Sequence, residues 1–293
     1  MHIPVLQKEV MQYLAPKPNE NFIDCTAGFG GHTAAILEKN GPQGRVLGID
    51  WDKEVISQLK SQTTKFKDRL ILINDSFTNL KEIAKKFHSI SGVLFDLGMS
   101  SWHLEESGRG FSFLKSEPLD MRYNVNNPLT AEKIVNYWSE PEMENILKEY
   151  GEERFAGNIA EEIINERKFY PIKSTSQMVK IIQKAIPFRY QRQKIHFATR
   201  VFQALRIAVN DELNNLKKAL PQAVEILNPQ GRMVVISFHS LEDRIVKNFL
   251  KEKSKENILQ ILTKKPTRPA RQEIIINPRS RSAKLRAAIK IKQ

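Results

Sequence analysis

The feature that most constrains this chain is an alternation in its first hundred residues. Short, continuous apolar runs are separated by stretches with helical spacing. Asn21–Thr26 (NFIDCT), Arg45–Asp50 (RVLGID), Arg69–Asn74 (RLILIN) and Gly92–Leu97 (GVLFDL) are the runs. His32–Lys39, Lys53–Lys60 and Asn79–Phe87 are the helical stretches between them. A run that is apolar throughout, not at every second position, suits a parallel strand whose sheet is covered by helices on both faces. Repeated β-α units of this length predict a doubly wound α/β sheet.

The alternation stops after Leu97. Ser101–Asn127 has no clear period, and from Pro128 to about Asn210 the pattern is helical. Ser139 with Glu142 forms a capping-box pattern, Pro141 falls in the first turn, and Gly151 stands where a helix would stop. Phe155, Ile159 and Ile163 recur every four residues, as do Phe197, Val201 and Leu205. So long a helical block does not fit a sheet connection. The strand pattern then returns: a helix over Glu212–Leu227 ended by Asn228-Pro229-Gln230-Gly231, a strand over Gly231–Phe238, a helix over Leu241–Lys251, and strands over Ile258–Thr263 and Lys284–Ile291. The expectation is a mostly parallel, seven-stranded sheet formed by residues 1–104 and 209–293, with 105–208 as an inserted helical subdomain.

Composition removes several classes. One cysteine, Cys25, excludes an internal disulfide, and no Cys/His cluster has zinc-ligand spacing, so no metal is expected. No stretch approaches ~18 consecutive apolar residues, which argues against a membrane span. The opening MHIPVLQKEV lacks the basic-then-apolar pattern of a signal peptide, so a cytoplasmic chain is expected. With 46 Lys+Arg against 33 Asp+Glu the net charge is +13, and from Lys264 onward ten basic residues meet one acid, Glu273. Such an excess suits a polyanionic partner, since each phosphate contacted releases counterions.

Ligands of open α/β sheets bind beyond the carboxyl ends of the strands. Asp24-Cys-Thr-Ala-Gly-Phe-Gly-Gly-His32 stands there after the first strand, and Asp50 ends the second, where an acid can bond ribose hydroxyls. Together they point to a nucleoside-containing cofactor. The dinucleotide pattern G-x-G-x-x-G fails, because Thr33 takes the third glycine's place. S-adenosyl-L-methionine has a ribose and no phosphate, and suits the shorter turn. Asp75-Ser76-Phe77 and Asp96-Leu97-Gly98 follow the third and fourth strands. Phe77 is either a purine platform or a core aromatic, and Asp75 could bond the purine's amino group.

The strings HIPVL (2–6), GFGGHT (28–33), DLGMSS (96–101), RGFSF (109–113), PLDMR (118–122), FQALRIAVN (202–210), ISFHSLEDRIVK (236–247) and RSAKLR (281–286) resemble the bacterial small-subunit ribosomal RNA cytosine-N4 methyltransferases from end to end. The resemblance implies a class I, Rossmann-like methyltransferase that uses S-adenosyl-L-methionine to methylate the exocyclic amine of one cytidine in 16S rRNA of the 30S subunit. It implies cofactor contacts at Gly30, Gly31, His32, Asp50, Phe77 and Asp96. Where the family usually has Pro-Gln after DLG-x-SS, this chain has Trp102-His103, so the glutamine's contact falls to His103. Trp51 stands in place of the more usual Arg.

A cytosine amine is a poor nucleophile because its lone pair is delocalised into the ring, so groups that orient and polarise it carry weight. Asp96 is the expected junction of cofactor and amine, assisted by Ser100 or Ser101; capping the loop is its alternative role. Phe238 could stack on the base, and His239 is either a proton acceptor or a loop residue. Glu242 and Asp243 read as caps of the following helix. Arg189, Arg192 and Lys194 with Phe188 and Tyr190 form a basic-aromatic segment suited to RNA. Arg200, Gln203, Arg206 and Asn210 share a polar arc read as structural. Arg109, Asp120 and Arg122 are expected at the mouth of a cleft, with an Arg122–Asp120 pair as the plainer role. A nicotinamide-dependent dehydrogenase and a non-catalytic RNA-binding assembly factor are the competing readings, and a homodimer is admitted by the size of the insert.

Overall fold

The structure, a computed structural model, describes residues 4–291, so His2 and Ile3 of the HIPVL string lie outside the described residues. In chain order the first unit begins with α1 (Gln7–Leu14), β1 (Asn21–Asp24), α2 (Gly31–Lys39), β2 (Val46–Asp50), α3 (Lys53–Gln62), β3 (Leu70–Asn74), α4 (Leu80–Ile83) and β4 (Ile90–Asp96). There follow α5 (Ser101–Glu105), α6 (Ala131–Tyr137), α7 (Glu140–Glu149), α8 (Ala156–Arg167), α9 (Thr175–Ala185), α10 (Phe188–Gln191) and α11 (Thr199–Asn210). The chain ends with α12 (Glu212–Ile226), β5 (Leu227–Ser237), α13 (Ser240–Lys255), β6 (Leu259–Ile261), α14 (Arg271–Ile276) and β7 (Lys284–Lys290). Two compact units result: one up to Gly98 and again from Leu213, the other Met99–Glu212.

In the first unit seven strands run in the order β3-β2-β1-β4-β5-β7-β6. The first five are parallel, and β7 runs antiparallel between β5 and β6. The order reverses between β1 and β4, the switch point at which an open sheet accepts a ligand. Adjacent residues of one strand serve opposite layers. Val93 and Phe95 pack with Leu220, Val246 and Leu250 on one face, while Leu94 packs with Val10, Leu14 and Ile36 on the other. That is why these strands are apolar at every position. Each such side chain, fully buried, contributes roughly 1.5–3 kcal/mol relative to exposure.

Three local expectations change. The Asn79–Phe87 helix is a single α turn, α4, flanked by 3-10 turns at Phe77–Asn79 and Ala84–Lys86. The Asn228–Gly231 turn is part of β5: Ile90 pairs with Leu227 and Gly92 with Arg232, so the extra residues bulge out of the ladder. Pro229 lacks an N–H and Gln230 has φ 66, both tolerable in a bulge and costly in a regular strand. Helices α1 and α14 go beyond what the sequence pattern predicts.

The second unit packs α6 to α9 and α11 around Ile134, Met143, Leu147, Ile159, Ile163, Met178, Ile182, Val201 and Leu205. The Ser139–Glu142 capping box opens α7, and a second, Ser174–Gln177, opens α9. At Gly151 a Cβ would stand 2.8 Å from the Arg200 carbonyl oxygen, so the close approach of α11 requires glycine there. A short helix, α5, lies within the stretch expected to be loop. Among the described residues no helix is long and apolar enough to cross a membrane.

Candidate active site

At the carboxyl rim of the first unit's sheet, three parallel strands end in carboxylates: Asp24 on β1, Asp50 on β2 and Asp96 on β4. Asp24 is buried. Its Oδ2 accepts a 2.7 Å bond from Thr33 Oγ1 and its Oδ1 accepts from the Thr26 amide. Burial pushes its pKa up, with Thr33 and His32 opposing that less strongly. Thr26 Oγ1 in turn accepts the Asp96 amide N–H at 2.7 Å, which ties the ends of β1 and β4 together. Asp50 is held by two backbone donors, Gly28 N–H on Oδ2 and Asp52 N–H on Oδ1, each at 2.9 Å. It is thus an oriented acceptor facing the glycine turn.

Gly30 has φ +78, and a Cβ there would stand 2.3 Å from Leu59 Cδ1; a Cβ on Gly31 would stand 2.3 Å from Pro4 Cγ. These glycines are demanded by packing of the turn against α3 and the N-terminal segment, a reason additional to any ligand. His32, on the first turn of α2, is buried with its Nε2 3.5 Å from Asp96 Oδ2. That separation is longer than a well-formed hydrogen bond, and both ring nitrogens and Asp96 Oδ1 are buried without a hydrogen-bond partner. Burial alone would lower the His32 pKa. The adjacent Asp96, with Asp24 and Glu273, outweighs it and holds the ring above its ordinary value. Buried orphaned polar atoms at a strand terminus are costly unless something completes them.

Phe77 is half-buried, one edge set against Phe95 at 5.8 Å between centroids. Asp75 Oδ1 accepts from Ser76 N–H and Asn79 Nδ2. After β5, the Phe238 ring lies over Gly98, where a Cβ would stand 2.9 Å from Phe238 Cδ2. The structure thereby brings Phe238 onto the Asp96-Leu97-Gly98 turn. His239 is the N-cap of α13, with Nδ1 accepting the Glu242 amide at 3.4 Å and Nε2 3.2 Å from Glu242 Oε1. Glu242 returns the bond to the Phe238 and His239 amides, so it caps the helix as expected. Asp243 instead binds Arg286 at 2.6 Å and Lys284 at 3.4 Å. Ser237, which ends β5 with its Oγ buried and unpartnered, was not among the expected residues. Its signal in the sequence is a lone hydroxyl closing the run VVIS.

Ser100, Ser101 and His103 belong to the second unit, beginning two residues after Gly98. Ser100 caps α5, its Oγ 2.8 Å from His103 Nδ1, and Ser101 is the first helical residue. The His103 ring packs edge-on against Trp102, Phe111 and Tyr123. In the same unit Arg122 grips Asp120 at 2.8 and 2.7 Å. Burial pushes the Asp120 carboxyl up, but Arg122 and Arg109 together hold it below its usual range. Arg109 donates to the Arg122 and Tyr123 carbonyls and lies over Trp102. Asn210 bonds the Tyr123 amide and the Met121 carbonyl, fixing Met121 at φ 60. Arg206 pairs with Glu212 at 2.7 Å. The RGFSF, PLDMR and FQALRIAVN strings therefore form one self-satisfied brace.

The family model described as the MraW methylase family matches residues 1–291. The chain is 45% identical to a ribosomal RNA small subunit methyltransferase H of Heliobacterium mobile, covering 99% of both chains. It is 47% identical to one of Halothermothrix orenii, covering 99% of this chain and 98% of that one. Among solved structures, a candidate rRNA methylase from Clostridium thermocellum has a TM-score of 0.50 at 15% identity, covering 100% of this chain and 99% of that one. A candidate methyltransferase from Streptococcus mutans, in complex with SAH, has a TM-score of 0.50 at 12% identity, with 99% of each chain covered. The two structures bear on the fold alone.

Proposed function

The chain belongs to the MraW methylase family, and from that premise we propose that it methylates the N4 amine of a cytidine in 16S rRNA, in the context of the small ribosomal subunit. It is an rRNA methyltransferase dependent on S-adenosyl-L-methionine. The observation that carries the residue-level reading is Asp96, a carboxylate at the end of β4 with one buried oxygen lacking any partner and a buried histidine beside it. A cationic ligand and an amine donor are what would complete it.

The donor set fits the cofactor. Gly30, Gly31 and His32 would hold its amino-acid end, Asp50 its ribose hydroxyls and Phe77 its purine face; Asp96 would face the reacting end, and the family resemblance would give His103 the glutamine's contact. When bound, S-adenosyl-L-methionine supplies a methyl on a sulfonium, a good leaving group. A rim of three carboxylates suits that cation and repels a pyrophosphate, and Thr33 spends its hydroxyl on Asp24 where a dinucleotide site needs a third small residue. Both points weigh against a dehydrogenase.

Asp96 accepts a hydrogen bond from the amine, withdrawing it from conjugation and orienting its lone pair for attack. One amine proton must leave once the C–N bond forms, and Asp96 or His239 receives it. The Asp96 carboxylate in turn favours the charged form of the buried His32 ring beside it. Phe238 offers a face to the cytosine, with Ser100 and Ser101 assisting the amine. The helical unit, built around its own core, serves substrate recognition, and a ribosomal substrate calls for a cytoplasmic enzyme. A homodimer through that unit is read by light scattering. The decisive test is mass spectrometry of 16S rRNA from a deletion strain. One cytidine methyl should be missing, restored by this chain and not by Asp96→Asn; an unchanged methyl pattern overturns the proposal.

A further inference from the structure

From Pro171 to Asn210 the chain holds eight Lys/Arg and no Asp or Glu. Two of those cations are neutralised by acids outside the stretch, Lys184 by Glu166 and Arg206 by Glu212. Arg189, Arg192, Lys194 and Arg200, together with Arg154, make no ion pair among the described residues. Four of these five belong to, or reach onto, a short exposed segment around α10, in which the Phe188 ring faces solvent and Tyr190 is half-buried. Phe188 is 64% exposed and Ile195 52%. Arg192 lies 4.6 Å over the Phe188 ring, Arg189 4.9 Å over Tyr190, and Arg154 5.5 Å over Tyr190 while donating to its hydroxyl at 3.0 Å. Tyr190 is braced from below by Phe155 at 4.7 Å.

An exposed ring already capped on one side by guanidinium, on a stretch of forty residues that carries no acid of its own, is an unusual surface for a protein to present to water. Its chemistry matches single-stranded nucleic acid, whose bases stack on aromatic and guanidinium planes while the phosphates need cations a few ångströms away. A protein partner would be expected to meet an apolar patch with a polar rim; here the rings and the charges alternate within one short segment. A duplex would call for the charges without the exposed rings.

We propose that Arg154 and the segment Pro187–His196 form a stacking platform for single-stranded nucleotides of the rRNA substrate, with Phe188 as the base platform and Arg189, Arg192 and Lys194 as its phosphate contacts. This rests on the rRNA reading above. Phe188 is solvent-facing, so its replacement removes no core packing.

The test uses the full chain with 30S particles and protein-free 16S rRNA from a strain lacking the modification. Filter binding is measured across a salt series, and S-adenosyl-L-methionine affinity by calorimetry. Phe188→Ala and Phe188→Leu should each weaken RNA binding about tenfold or more, Phe188→Trp should retain it, and cofactor affinity should not move in any of them. Neutralising Arg189, Arg192 and Lys194 together to Gln should flatten the salt dependence by about 0.7 per lost contact, roughly 2 in all. Phe188→Leu binding as well as wild type would replace stacking by simple apolar docking and overturn the platform. So would variants that bind protein-free rRNA normally and fail only on particles, which would mean a ribosomal protein is the partner. Wild-type protein that neither binds nor methylates either RNA would instead overturn the functional reading itself.

Discussion

The two units treat buried polarity in opposite ways. In the helical unit every conspicuous polar side chain is spent on another: Asp120 on Arg122, Arg109 on two carbonyls, Asn210 on Met121 and Tyr123, Arg206 on Glu212. In the α/β unit the carboxyl rim keeps unfinished groups, and the buried unpartnered side-chain atoms found among the described residues all lie there, on His32, Asp96, Ser237 and His239. A fully paired network rigidifies and specifies, whereas an unpaired one costs stability and waits for a ligand. Motif strength in sequence therefore means two different things in one chain. The RGFSF and PLDMR strings build a scaffold; DLG and SFHS leave buried polar atoms unmet.

The sharpest way to break this contrast is to remove one group from each side. Asp96→Asn should lower single-turnover methyl transfer by about 10²–10³-fold, the size expected when a preorganised charge at the reacting group is lost. Folding should be spared, because the change removes a desolvated charge that forms no good hydrogen bond. A variant within threefold of wild type would take Asp96 out of the chemistry. Asn210→Ala should do the reverse. It leaves the Tyr123 amide and the Met121 carbonyl without their partner and should cost about 2–3 kcal/mol, read as a lower urea midpoint and faster hydrogen exchange of amides 107–127. Cofactor affinity under native conditions should stay within twofold. Undiminished stability would show that the brace is decorative.

How far this division was legible beforehand depends on what each residue's neighbours are. The strands could be read because a sheet buried on both faces leaves an unbroken apolar signature, as in Gly92–Leu97. Asp50 and Asp96 could be read because they close such runs. The break-up of Asn79–Phe87 could not, since helical spacing is compatible with 3-10 turns. Nor could the bulge of Asn228–Gly231, where turn-forming residues are carried inside a strand by its register with β4. The packing reason for Gly30 and Gly31 lies in Leu59 and Pro4, residues nearly thirty positions away in each case and invisible to any local pattern. Ser237 escaped because only burial without a partner marks it.

Acid titration sharpens the comparison with a smaller effect. The folded-state pKa of Asp24 is raised by desolvation, so its contribution is fully present below the unfolded value of 3.8 and is lost as pH rises through the folded value. His32, raised above 6.5 by Asp96 and its neighbours despite burial, behaves likewise: its contribution is present below 6.5 and lost as pH rises through the folded value. Asp120 is depressed by Arg122 against the effect of burial, so its contribution is present above 3.8 and lost as pH falls through the folded value. Mild acidification below neutral should thus favour the α/β unit through His32, whereas the helical unit, where desolvation holds His196 below its ordinary value, should lose stability as pH falls below 6.5 and again, through Asp120, below about 3.8. Carboxyl and imidazole NMR titrations check both signs. Asp96→Asn should lower the His32 pKa; a His32 resonance that titrates as before would mean the 3.5 Å pair does not hold its charge.

The smallest expected effect is the most discriminating, because nature has placed the same local device in both units. Ser139 opens α7 and His239 opens α13, each accepting the amide three residues on and each answered by a glutamate, Glu142 or Glu242. If capping were all that His239 does, His239→Ala and Ser139→Ala would cost alike, about 1 kcal/mol of stability with no change in methyl transfer. Histidine is a poor choice for that task, however: its Nε2 is buried beside Glu242 without a hydrogen bond, an unmet polar atom that a serine cap does not bring with it. We therefore expect Ser139→Ala to leave the single-turnover rate untouched and His239→Ala to slow it about tenfold or more, within the range for a lost proton acceptor, at no greater cost in stability. Equal rates in the two variants would reduce His239 to a cap and leave Asp96 to take the proton unaided.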